Sequence, residues 1–186
     1  GDVDKAWGIF SRSVDDIYKL SKDLLAVSGE SSPTLLPHSI REIVEDVHGL
    51  CEMRIKSTGM RFEVEPINDL PYLTCDAPAI KDMLLNLITN AIDAVQETDS
   101  GRVGIGVTQD SDRNIAFKIS DNGPGIPTEI QETVFNPFFT TKGYGGSGLG
   151  LTVVKKIVSD HGGRIQVSSM PGRTIFTVLI PVSLRS

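Results

Sequence analysis

The chain has 186 residues, enough for one domain with a proper core plus an appendage. Its composition is that of an ordinary globular protein, and a net charge of -6 argues against nucleic-acid binding, which usually shows a basic surface. The two cysteines, Cys51 and Cys75, sit far apart in apolar patterns with no metal-like spacing, so they read as reduced structural thiols in a cytoplasmic setting. No apolar run reaches membrane-spanning length and no signal peptide is visible, which predicts no membrane contact by this stretch. Because it opens directly on a helix, the chain reads as a piece of a parent that can carry a membrane anchor elsewhere.

Residues 2–27 read as one helix. Val3, Trp7, Phe10, Val14, Ile17, Ser21 and Leu24 recur at steps of four and three, a heptad seam with one polar break at Ser21. A helix packed on its own domain is one reading. A bundle helix that pairs with another chain through residues 3–24 is the better one, because the seam is narrow. Ser28–Pro33 is a breaker-rich linker, so the domain boundary is expected there, with 1–30 as the helical part and 31–186 as the main domain.

Ser39 and Glu42 form a capping box for a helix whose stripe is Ile40, Ile43, Val44, Val47 and Leu50. His38 is expected in a loop, and His48 packs or faces solvent. Arg61–Glu65 alternates as a strand, and Tyr72–Cys75 is a second short extended piece. Asp76 caps the next helix, with Pro78 in its first turn, and that helix runs to about Val95. Val103–Val107 and Ile115–Ile119 alternate around a polar turn and form a hairpin. A short helix is expected around Thr128–Thr133. Another helix covers Gly148–Asp160, with His161 capping its end. Arg164–Ser168 and Thr174–Ile180 make a last hairpin. The sum is an α/β (α+β) two-layer sandwich, with a mixed, mostly antiparallel sheet and helices on one face.

Three segments carry chemistry. On the helix 77–95, Asn86 and Asn90 stand one turn apart with Asp93 beside them. Such a face is either plain solvent surface or an oxygen-rich site for a hard cation such as Mg²⁺. Asp121-Asn122-Gly123-Pro124-Gly125-Ile126-Pro127 puts a lone carboxylate at a strand end in a tight turn, able to accept a hydrogen bond from an amino-purine. Gly143–Leu151 offers bare amides leading into a helix, which favours phosphate. That run is not a dinucleotide fingerprint, since no strand precedes it and position 168 is Ser, and no Gly-Lys-Ser/Thr follows as in a Walker loop. Lys142 either adds positive charge near the phosphates or is a solvated side chain. Phe135, Phe138 and Phe139 are expected to anchor a mobile lid to the core.

These segments resemble the boxes of sensor histidine kinases. Asn86-Leu87-Ile88-Thr89-Asn90-Ala91 is similar to the N box, and Asp121–Gly125 to the first glycine box. Phe135–Lys142 is similar to the F box, Gly146–Leu151 to the second glycine box and Gly172–Phe176 to the last shared segment. The boxes fall in the family's order over residues 34–182. The resemblance implies a GHKL-type ATP-binding domain with ATP and Mg²⁺ as its ligands. It implies that Asp121 reads the adenine amino group, with Thr174 helping through a water. It implies that Asn90 binds Mg²⁺ and that Asn86 lies close to the metal and phosphates, these two being the catalytic candidates. Gly123, Gly125 and Ile126, then Asp93 and Lys142, then Gly146, Ser147, Gly148, Leu149 and Gly150 complete the expected nucleotide contacts.

The helix 2–27 looks like the second helix of the family's dimerisation hairpin, which implies a homodimer. The implied partners are the phosphoacceptor-histidine helix of the same kinase dimer and the receiver domain of a response regulator. Two departures stand out: the phosphoacceptor box is absent, and Asp93 stands where many members carry a basic or aromatic residue. GHKL ATP hydrolases use a Glu where Asn86 stands, and a carboxamide is no base at neutral pH, so transfer is expected over hydrolysis. A nucleotide-binding module without chemistry is the non-enzyme alternative.

Overall fold

The computed structural model describes residues 2–29, 32–56, 59–142 and 146–183. Within the first helix, the described side chains are those of Trp7, Phe10, Val14, Ile17, Tyr18 and residues 20–28. Val3 of the seam, residues 30–31 of the linker and Gly143–Gly145 of the glycine run therefore lie outside the described residues.

Helix α1 (Asp2–Ser28) leads into β1 (Leu36–His38), α2 (Ile40–Lys56), β2 (Arg61–Val64), β3 (Leu73–Cys75) and α3 (Ala77–Ala94). The hairpin β4 (Arg102–Gln109) and β5 (Asn114–Asp121) follows, then two single turns of 3₁₀ helix at Thr128–Ile130 and Thr133–Phe135. Helix α4 (Gly150–Asp160) and the hairpin β6 (Arg164–Met170) and β7 (Arg173–Pro181) close the fold. The main sheet runs β2-β4-β5-β7-β6, with β2 parallel to β4 and every other pair antiparallel. This is the mixed, mostly antiparallel sheet that the alternation predicts.

The alternation also decides which face the helices cover. Val103, Ile105 and Val107, then Ile115, Phe117 and Ile119, then Phe176, Val178 and Ile180 point to one side and are all buried. Pairing aligns them into rungs across the sheet. Ile105 faces Ile119, which faces Phe176, and the next rung is Val103, Asp121 and Thr174. Two polar residues thus end an apolar ladder at one end of the sheet.

Against that ladder α3 lays Ile80, Met83, Leu84, Leu87, Ile88, Ala91 and Ile92, all buried at the 3.6-residue period. Its start is fixed by Asp76, whose Oδ1 accepts the Ala79 N–H at 3.1 Å, a cap worth about 1 kcal/mol. His161 ties the end of α4 to the same point. Its Nε2 accepts the Asp76 N–H at 3.0 Å and its Nδ1 donates to the Ile157 carbonyl at 2.7 Å, so both ring nitrogens are engaged. The histidine is 1% exposed, a buried clamp as well as a helix cap.

Four expectations change. His38 lies not in a loop but in β1, which pairs antiparallel with β3 as a separate two-stranded sheet. In α2 the stripe runs on through Cys51 and Ile55, 5% and 4% exposed, while Leu50 is 60% exposed, because the buried face continues at i+4 from Val47 and not at i+3. The short helix near Thr128–Thr133 is two 3₁₀ turns. Phe138 anchors nothing: it is 66% exposed, whereas Phe135 packs edge-on against Phe176 at 6.2 Å.

Both cysteines are buried and free, and burial, with the Asp76 charge adding to it, pushes the Cys75 thiol up to about 11. In α1, by contrast, Trp7, Phe10, Val14, Ile17 and Leu24 are all exposed. The helix touches the rest of the protein along α4 and through an ion pair of Lys22 with Asp82 at 2.8 Å. Among the described residues, no helix is long and apolar enough to cross a membrane.

Candidate nucleotide site

A cavity of about 1010 Å³ opens where the sheet's last rung, α3 and the start of α4 meet. A drug-sized or nucleotide-sized ligand fits a space of that order. The sheet supplies Asp121 and Thr174 to its wall, 7% and 3% exposed. Asp121 Oδ1 accepts the Gly123 N–H at 2.9 Å. Burial pushes the Asp121 carboxyl above its usual 3.8, and the Gly123 hydrogen bond opposes that rise. A buried carboxylate with acceptor capacity to spare is a specific partner for an N–H donor. Ile126, Ile130, Val134 and Phe176 supply apolar wall beside it.

The turn after Asp121 is locked from behind. Gly125 has φ +83°, and a Cβ there would lie 2.6 Å from the Met170 carbonyl oxygen, so only glycine fits. Ser169 Oγ accepts the Ile126 N–H at 2.8 Å and shares a 2.8 Å hydrogen bond with Thr174 Oγ1. Gln131 Nε2 donates to the carbonyls of Ile126 and Ser169 at 2.8 and 3.0 Å. Sequence reasoning passes over Ser169 and Gln131. A signal for Ser169 does exist, since it stands opposite Thr174 in the last hairpin.

The helical wall is polar. Asn86, Asn90 and Asp93 project from α3 into the cavity, each half-buried. Lys142 Nζ donates to Asn90 Oδ1 at 3.2 Å and pairs with Asp93 Oδ2 at 2.7 Å. Asp93 therefore holds a neighbouring side chain, and Lys142 is not simply solvated. Across from them α4 begins at Gly150, whose Cα faces Asn86 Oδ1. Among the described residues, no side chain caps that helix, so its first amides and dipole remain available to an anion. Gly148 (φ +66°) turns the chain into the helix with its Cα pressed on the Phe138 backbone, which also requires glycine.

Of the residues expected to contact nucleotide, Asn86, Asn90, Asp93, Asp121, Gly125, Ile126, Lys142, Gly146, Ser147, Gly148, Gly150 and Thr174 line this one cavity. Gly123 and Leu149 do not. Gly123 is buried behind Asp121, and Leu149 is 1% exposed with its N–H on Ser147 Oγ at 3.3 Å. They shape the wall from behind. Ile17 and Leu20 of α1 stand at the rim of the cavity, 66% and 41% exposed, an approach that the heptad pattern gives no hint of.

The donor set fits a hard cation. A carboxamide and a carboxylate oxygen on one helical turn already converge on a positive charge, that of Lys142. The α/β sandwich thus sets a buried acceptor at one end of the cavity and a polar helical wall with an uncapped helix start at the other.

Residues 75–184 match the family described as histidine kinase-, DNA gyrase B- and HSP90-like ATPase, and the chain belongs to it. Over 173 residues it is 34% identical to the signal transduction histidine-protein kinase AtoS of Escherichia coli strain K12, a match covering 92% of this chain and 28% of AtoS. The nucleotide-free catalytic domain of histidine kinase ThkA superposes with a TM-score of 0.72 at 32% identity, covering 80% of this chain and 96% of that one. ThkA in complex with the response regulator protein TrrA superposes with a TM-score of 0.81 at 28% identity, covering 97% of this chain and 52% of ThkA. The chain thus spans about a quarter of AtoS and about half of ThkA, and its likeness is to the catalytic ATPase domain of sensor histidine kinases.

Proposed function

We propose that this chain binds Mg-ATP and transfers the γ-phosphoryl to a histidine on a dimerisation helix outside the chain, for relay to an aspartate of a response-regulator receiver domain. Residues 1–30 are then the second helix of the dimerisation hairpin and residues 31–186 the catalytic domain. The observation that carries the reading is the last rung of the sheet. It sets a buried Asp121 beside Thr174 at one end of a cavity whose other end holds Asn86, Asn90 and the uncapped start of α4.

Asp121 accepts the adenine amino group, and Thr174 supports the base through a water. Ile126 and Phe176 exclude solvent from the purine. Asn90, with Asn86 close by, holds Mg²⁺ through its carboxamide oxygen. The metal, when bound, neutralises charge developing on the phosphates. Gly146, Ser147, Gly148 and Gly150 present backbone amides to the phosphates at the helix N-terminus. Lys142 adds a positive charge to them. No side chain at Asn86 or Asn90 can deprotonate water at neutral pH, so the site positions a phosphoryl group and leaves the nucleophile to another helix. The exposed seam of α1 supports a homodimer through residues 3–24, and sedimentation that returns only monomer at high concentration removes that part.

The test of the transfer uses γ-labelled Mg-ATP. The chain alone should take up no acid-labile label, and a longer form of the parent that includes the first hairpin helix should be labelled on it. Label on His38, His48 or His161 of the isolated chain contradicts the reading. So does steady phosphate release that Asn86→Ala abolishes.

A further inference from the structure

Lys142 approaches α3 from 49 residues beyond Asp93, yet its ammonium sits 2.7 Å from Asp93 Oδ2 and 3.2 Å from Asn90 Oδ1. Asn90 and Asp93 are one helical turn apart, so their oxygens aim at one point. A neutral carboxamide oxygen and a carboxylate oxygen aimed at one point are what a hard divalent cation seeks, and a point-charge ammonium on a flexible stem fills that position here. We propose that Lys142 is a tethered cation that occupies the metal position on α3 and gives it up only to a metal that arrives with a polyphosphate. The proposal rests on the Mg-ATP reading above and adds to it a selection against free metal.

The electrostatics run one way. An ammonium and a divalent ion cannot share Asn90 Oδ1 at these distances without strong like-charge repulsion. A free metal must therefore expel Lys142 into water, where the displaced ammonium gains no new partner. A metal-nucleotide complex brings phosphate oxygens, and these give the displaced ammonium a new anionic partner. The exchange is open because the Lys142 and Asp93 side chains are 43% and 24% exposed, and ion pairs of this exposure are weak. Asp93 is in this account a positioning residue. It holds Lys142 beside the metal site, which gives an acidic residue at this position a role that phosphate contact could not.

Manganese binding to the nucleotide-free chain, read by the loss of the free-ion paramagnetic resonance signal, tests this without any turnover. Lys142→Met should bind Mn²⁺ several-fold tighter than the unaltered chain, the scale set by displacing a partly exposed ion pair. Lys142→Arg, which keeps the charge, should bind it as weakly as the unaltered chain. Adding Asn90→Ala to Lys142→Met should remove the gain. Equal Mn²⁺ affinity in the unaltered chain and Lys142→Met overturns the proposal, as does Lys142→Arg behaving like Lys142→Met. Mg-ATP calorimetry on the unaltered chain separates the two claims. If Mg-ATP does not bind, the nucleotide reading fails, and the manganese comparison still decides the role of Lys142.

Discussion

The two ends of the cavity are built on different principles. At the sheet end, Asp121 and Thr174 are buried, fixed by strand pairing and backed by Ser169 and Gln131. At the helical end, Asn86, Asn90, Asp93 and Lys142 are half-buried or exposed, and their contacts are those of side chains with rotamer freedom. A rigid acceptor in low dielectric discriminates between bases, because a ligand lacking the matching donor leaves it unpaired. A solvated, charged wall can rearrange around whatever ions it meets. On the proposed reading, selectivity and adaptability are separated in space, and the connecting turn at Gly125 belongs to the rigid half.

The largest effect should come from breaking that turn. Gly125→Ala forces a Cβ into the Met170 carbonyl at positive φ, at an expected cost of about 2–4 kcal/mol in stability. Thermal unfolding should show it, and an unchanged melting temperature means that the turn is not locked as described. A smaller effect should follow from pH. The folded Asp121 pKa lies above 3.8, so the ionised form is the costly one in the free protein and protonation begins at a higher pH than for a surface carboxylate. A charge-assisted bond to an amino donor requires the ionised form. Nucleotide affinity should therefore fall several-fold more in the unaltered chain than in Asp121→Asn as pH drops from neutrality through that raised value, the nucleotide's own phosphate titration being common to both. Identical profiles in the two proteins would assign the base contact elsewhere.

Much of this was legible in the residues. The alternation of β4, β5 and β7 sets the apolar face, and Asp121 is simply the next residue of that row after Ile119, which is why a strand pattern locates a candidate site residue. Asp76 and Pro78 mark the start of α3, and the asparagines follow at helical spacing. What stayed hidden depends on contacts between distant segments. β1 has three residues with Pro37 at its centre, and it exists because β3 pairs with it from across the chain. The Ser169–Thr174–Ile126 linkage needs the last hairpin folded against the turn. The Lys142–Asp93 pair joins residues 49 apart, and neither side chain alone announces the other. The approach of Ile17 and Leu20 to the cavity rim is likewise tertiary, since the heptad pattern assigns Ile17 to a bundle seam.

The central claim is that the sheet's last rung reads a purine, and calorimetry of Mg-ATP binding to the chain and to Asp121→Asn tests it most directly. The account predicts one-site binding by the unaltered chain and a loss of roughly a hundred-fold or more in the variant, the scale for a donor left without its buried charged partner. Equal affinity in the two proteins would contradict it, because Asp121 would then be a structural turn residue and the nucleotide, if bound, would be held by the helical end alone.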